Sequence, residues 1–216
     1  MSMNYELLET IKDAFDSQIK NTYELRDEDS KESFLKKIVE KYPVNGKPMV
    51  DEINASNPSL VLDLGCGLNQ YKSIINNLVG IDIIGVREDI TADISDLSAH
   101  FADHTADVVL ALGSINFGTE EVIAKQLAEV KRLLKAGGIA YFRANQNDHD
   151  KDHQGTLRYY DWSVEKVLEW ADKFNFEVIG EVELKEGRPG VNDRMNREFV
   201  AKKRSNIRLF WKWKSL

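Results

Sequence analysis

Two carboxylates and a pair of glycines stand at spacings that suit a nucleoside-containing ligand. The apolar run Leu60-Val61-Leu62 leads into Asp63, and Leu64 is followed by Gly65-Cys66-Gly67. Glycine has no Cβ, so the backbone there can pass close to a ligand. A second apolar run, Leu78-Val79-Gly80-Ile81, ends in Asp82, 19 positions after Asp63. That separation fits a strand–helix–strand unit, which sets the second acid over a ribose.

Two cofactor classes use this layout. Nicotinamide enzymes want three glycines, G-x-G-x-x-G, and here Gln70 takes the sixth position. A pyrophosphate is also repelled by a carboxylate beside the glycine turn, and Asp63 lies two residues before Gly65. S-adenosylmethionine (SAM) carries an ammonium, a carboxylate and a sulfonium but no phosphate, so an acid beside the loop suits it. Asp63-Leu64-Gly65-Cys66-Gly67 followed by Gly80-Ile81-Asp82 resembles the first two motifs of class I SAM-dependent methyltransferases. The resemblance spans about residues 58–214.

The resemblance implies SAM as cofactor, held by Asp63, Gly65, Cys66, Gly67 and Asp82, with Ile83 on the adenine face. Cys66 reads as a small residue in a tight space rather than as a nucleophile. Asn69 and Tyr71 either line the methionine end of the cofactor or pack locally. Asp82 accepts from the ribose hydroxyls, the alternative being a helix N-cap. Asp93 lies where class I enzymes often place an acid that accepts from the adenine amino group. Asp96 competes for that role, and a plain turn residue is the other reading of Asp93.

The remaining candidates follow later strands, because ligands of open α/β sheets bind outside the strands' carboxyl ends. In Leu112-Gly113-Ser114-Ile115-Asn116-Phe117-Gly118, Gly113 and Ser114 would lie under the cofactor, and Asn116 and Phe117 would face the methyl acceptor. The loop lacks the N-P-P-Y or D-P-P-Y pattern of amino-methylating DNA enzymes. It also lacks the Pro-Cys of cytosine C5 enzymes. Arg143 to His153 is the most polar segment of the chain. It is either a solvated loop, or a substrate lid in which His149 or His153 is the general base, or a metal site. The histidines' i, i+4 spacing suits a metal only on a helix, which nearby Gly155 disfavours, so no metal is expected. Arg143 either binds an anionic acceptor group or pairs with a nearby aspartate. Tyr159-Tyr160-Asp161-Trp162 reads as packing against the sheet edge, with an aromatic wall for a planar acceptor as the alternative.

Elements that would position these groups follow from periodicity. Strands are expected at Leu60–Leu64, Leu78–Ile83, near Asp89–Ala92, Ala106–Ala111, Ile139–Arg143 and Phe176–Lys185, with a basic strand closing the sheet at the C-terminus. Helices are expected at Met49–Ala55, Gln70–Asn77, Thr119–Lys135 and Val164–Phe174. Thr119 and Ser163 serve as caps, and Gly137-Gly138 as a helix stop. The expected class is α/β and Rossmann-like. A mostly parallel seven-stranded sheet would have helices on both faces and an antiparallel C-terminal strand. Leu7, Leu8, Ile11, Phe15 and Ile19 mark one amphipathic helix, and Phe34, Leu35, Ile38 and Val39 a second, ended by Pro43. Residues 1–57 are therefore read as an N-terminal helical cap and 58–216 as the methyltransferase domain.

Composition bounds the rest. The 216 residues are 42% hydrophobic, and no apolar run is long enough to span a bilayer. No secretory leader is visible, and the lone Cys66 suits a reducing cytoplasm. Net charge is −7, which disfavours wholesale nucleic-acid binding. Yet Lys202, Lys203, Arg204, Arg208, Lys212 and Lys214 give the stretch from Val200 onward a charge of +6. Ile207, Leu209, Trp211 and Trp213 alternate there with Arg208, Phe210, Lys212 and Lys214, which is the period of a half-buried strand. The expected function is methyl transfer by in-line displacement to a small-molecule or nucleotide- or sugar-like acceptor. The chain is similar in this to small stand-alone methyltransferases of viral or bacterial genomes. The alternative is a non-catalytic module that contacts a protein or nucleic acid through the basic strand.

Overall fold

The computed structural model describes residues 46–67, 69–83, 88–145, 160–186 and 207–216. The N-terminal helices expected before Pro43, and the loop with His149 and His153, lie outside the described residues. The chain divides into two compact units, Met1–Ile94 and Ser95–Leu216. Its class is mixed α/β, with eight strands and three helices among the described residues.

The first unit holds α1 (Lys47–Ala55), β1 (Val61–Leu64), β2 (Leu78–Asp82) and β3 (Ile90–Thr91). β2 lies between β1 and β3, and both pairings are parallel. All four residues of β1 are buried, as a strand covered on both faces requires. The register sets Asp63 opposite Gly80 and Asp82 opposite Thr91. The helix expected at Gln70–Asn77 is instead a run of turns. Asn69 and Asn77 both adopt left-handed backbone, with φ of 51° and 56°. Those two residues bound the run of turns.

The second unit holds β4 (Ala106–Leu112), α2 (Glu120–Leu133), β5 (Leu134–Asn145), α3 (Val164–Lys173), β6 (Phe176–Val178), β7 (Glu183–Glu186) and β8 (Ile207–Ser215). β4 and β5 are parallel, while β8 runs against β5, β6 and β7. Ser163 caps α3 as expected, its hydroxyl accepting from the Lys166 N–H. Thr119 occupies the N-cap of α2 without a side-chain cap bond.

Two expectations are corrected here. Gly137-Gly138 does not stop a helix. α2 ends at Leu133, Leu134 is already extended, and β5 runs through both glycines. Pairing decides this: Ala106 takes Leu134 as its partner, and the register shift before Val108 absorbs the glycines as a bulge. The expected sixth strand is broken into β6 and β7 around Gly180, which makes eight strands rather than seven.

The core of the second unit is aromatic. Phe142 stacks on Trp211 at 5.1 Å between ring centroids and meets Trp213 edge-on at 4.7 Å. Trp162 lies 5.0 Å from Trp211, and Phe176 stacks on Trp213. The period-two reading of β8 holds: Leu209, Trp211 and Trp213 are buried, while Arg208, Phe210, Lys212 and Lys214 are half-buried. Lys212 sits over the Tyr141 ring, and Lys214 reaches Glu177 at 3.6 Å.

Candidate cofactor and acceptor sites

In the first unit β1 delivers Asp63, 3% exposed, and the chain then turns through Gly65, Cys66 and Gly67. Gly65 and Gly67 have φ of 69° and 54°, where a side chain would be strained. The amides of this loop are committed within the protein. Gly65 and Cys66 donate to the Ile81 carbonyl at 2.8 and 3.0 Å, and Gly67 donates to the Asp82 carboxylate at 2.8 Å. A loop that cradles pyrophosphate turns its amides toward the phosphate, so this loop is not built as an anion nest. Asp82 is 7% exposed and ends β2.

The field around the loop is negative. Burial pushes the Cys66 thiol far above its ordinary range, and Asp63, Asp82, Glu88 and Asp89 push it further. Those carboxylates disfavour a phosphate and favour a sulfonium or ammonium, so the residues present fit SAM. They also disarm Cys66, because only the thiolate is nucleophilic. Iodoacetamide at pH 8 is therefore expected to leave Cys66 unmodified in the native protein and to alkylate it in denaturant. Stoichiometric native labelling, read by mass spectrometry, would contradict this.

Ile83 is half-buried just past β2, and Asp93 is exposed two residues past β3, whose Thr91 pairs with Asp82. Asp96, the competitor, accepts from the amide and the hydroxyl of Ser98 at 3.1 and 2.7 Å. Those bonds hold its carboxyl below the usual range and make it a turn residue.

In the second unit Gly113 and half-buried Ser114 follow β4. Arg143, the register partner of Leu112, donates to the Leu112 carbonyl. A Cβ on Gly113 would lie 3.0 Å from its Nη2. Ile115 and Asn116 are both 2% exposed, and Phe117 is half-buried. Sequence reasoning missed what fastens this loop. The Tyr160 amide donates to the Asn116 carbonyl and the Trp162 indole to the Ile115 carbonyl, each at 2.9 Å. Trp170 in turn donates to the Tyr160 hydroxyl at 3.0 Å. Tyr160 and Trp162 are therefore core residues, as the packing reading expected; Tyr159 lies outside the described residues. A shallow depression lined by His104, Lys131, Lys135, Ala136, Ser215 and Leu216 contains none of the candidate residues. No cluster of metal-ligating side chains occurs among the described residues, and no helix there is long and apolar enough to cross a membrane.

Residues 62–142 match the family described as a methyltransferase domain. No curated protein matches the chain. Among solved structures, the Burkholderia thailandensis 1,6-didemethyltoxoflavin-N1-methyltransferase carries bound 1,6-didemethyltoxoflavin and S-adenosylhomocysteine. It aligns with a TM-score of 0.59 at 13% identity, over 100% of this chain and 91% of that one. The Haloferax volcanii methyltransferase in complex with the Trm112 methyltransferase activator aligns with a TM-score of 0.61 at 17% identity, over 94% and 96%. A SAM-dependent methyltransferase from Methanosarcina mazei gives 0.59 at 13%, over 80% and 99%. At these identities the likeness is one of fold.

Proposed function

We propose that the chain is a class I SAM-dependent methyltransferase that methylates a small-molecule or nucleotide- or sugar-like acceptor, a reading supported by the methyltransferase-domain match over residues 62–142 and by the fold likeness to solved methyltransferases. When bound, SAM supplies a methyl group already activated on a sulfonium, which passes in line to the acceptor with S-adenosylhomocysteine leaving. The observation that carries the reading is the glycine loop: its amides are spent on Ile81 and Asp82, and carboxylates surround it. In this reading Asp63 serves the methionine end, Asp82 the ribose, Ile83 and Asp93 the adenine, and Gly65, Cys66 and Gly67 the close approach. Gly113 and Ser114, which follow β4, are cofactor-binding candidates by their sequence motif alone.

The chain's own contribution to the reaction is to hold donor and acceptor in line and to exclude water. Asn116 orients the acceptor, and His149 or His153 takes its proton where one must leave. In this reading the protein works in the cytoplasm. The 1,6-didemethyltoxoflavin held by the Burkholderia neighbour supports a small-molecule acceptor. Calorimetric titration with SAM and with S-adenosylhomocysteine tests the reading. Micromolar binding is expected, and absence of binding to the folded protein would sink it.

A further inference from the structure

We propose that Asn69, Gly80 and Asp89 form a clasp that sets the position of the glycine loop and, through it, the affinity for SAM. The inference rests on the functional reading above. Asn69 closes the loop, its amide donating to the Cys66 carbonyl at 2.9 Å, and is 6% exposed. Its side chain lies on Gly80. A Cβ there would fall 2.5 Å from Asn69 Oδ1 and 2.7 Å from both Cγ and Nδ2. Contacts that short force a shift, and the group that must move is the end of the buried Asn69 side chain.

Asp89 fastens the other side. One carboxylate oxygen accepts from the Gly80 amide at 2.7 Å and from Lys72 Nζ at 2.9 Å, with Asn69 Nδ2 at 3.5 Å. The Asp89 amide returns a bond to the Gly80 carbonyl at 2.8 Å. Burial raises the Asp89 carboxyl, but the Gly80, Lys72 and Asn69 bonds outweigh it and hold the group below its usual range. It therefore stays ionised at neutral pH, as the clasp requires.

Strand geometry ties the clasp to the ligand. Side chains two apart share a face, as do cross-strand partners. Gly80 is two residues before Asp82 and pairs with Asp63. Asn69 thus fills the missing side chain between the two proposed cofactor acids. Gly80 has no side chain because Asn69 needs the space. A side chain at 80 would push Asn69 outward, draw the loop with it and pull Gly67 from Asp82. These three are positioning residues.

A double-mutant cycle tests this. Asn69→Gly suits the positive φ while deleting the wedge. Gly80→Ala in the natural background is expected to weaken SAM binding about tenfold, a coupling of about 1.4 kcal/mol. In the Asn69→Gly background the same alanine is expected to cost nothing further. Asp89→Asn, which keeps the shape, is expected to weaken SAM several-fold. Additive effects, or a Gly80→Ala protein that binds SAM like wild type, would overturn the clasp. Amide exchange at Gly67 in the unliganded protein gives a readout independent of the cofactor. It should quicken in Gly80→Ala and recover in the double variant, and unchanged exchange would overturn the clasp. A wild-type protein that ignores SAM would instead overturn the functional reading, with Gly67 exchange still deciding the loop.

Discussion

Asp82→Ala is expected to raise the dissociation constant for SAM by about 10- to 150-fold, the cost of one charge-assisted hydrogen bond at about 1.5–3 kcal/mol. The carboxylate serves the proposed ribose contact and also accepts from the Gly67 amide at 2.8 Å. Alanine removes both, so the glycine loop loses its tether as the ligand loses its acceptor. Asp82→Asn separates the two roles. Its amide oxygen can still accept from Gly67, so it should fall between wild type and alanine. Calorimetry with SAM, alongside thermal unfolding to show that each variant is folded, checks this. A folded Asp82→Ala protein with wild-type affinity would remove Asp82 from the site.

Trp162→Ala is expected to lower stability by about 3–5 kcal/mol, as other buried tryptophan truncations do. Trp162 is fully buried, 5.1 Å from the Tyr160 ring and 5.0 Å from that of Trp211. Its indole N–H also satisfies the Ile115 carbonyl. Since domains are stable by only about 5–15 kcal/mol, such a loss is a large share of the total. Trp162→Phe keeps most of the ring contact and should cost about 1–3 kcal/mol, the penalty for a buried carbonyl left without its donor. Urea unfolding measures both. An alanine variant within about 1 kcal/mol of wild type would mean that the loop after β4 is held by something other than this core.

Where a single segment carries its own periodicity, the sequence was readable. β1, β2 and β4 are short apolar runs, and α3 is a capped amphipathic stretch. β8 alternates between tryptophans and cations because one of its faces is buried. The glycine turn after β1 was legible for the same reason: the positive φ of Gly65 and Gly67 is a local demand of a tight turn. Where neighbours compete for a segment, the reading failed. Gly137-Gly138 looked like a helix stop, yet Leu134 already pairs with Ala106 and carries the glycines into β5. The segment after Gly67 looked helical, yet Asn69 and Asn77 take left-handed backbone, and Asn69 turns its side chain onto Gly80.

The sequence by itself determined the α/β class and most of the strands, since burial pattern and turn chemistry are written residue by residue. Only the tertiary structure decided how the site is held. Asn69, Gly80 and Asp89 share no period, and nothing in their spacing marks them as neighbours. The parallel registers of β1, β2 and β3 bring them together. In the same way Trp162 reaches Ile115 across 47 positions of chain only because the second unit folds around its aromatic core. Hydrogen bonds between residues so far apart in sequence leave no local pattern, because their geometry exists only once the strands have paired.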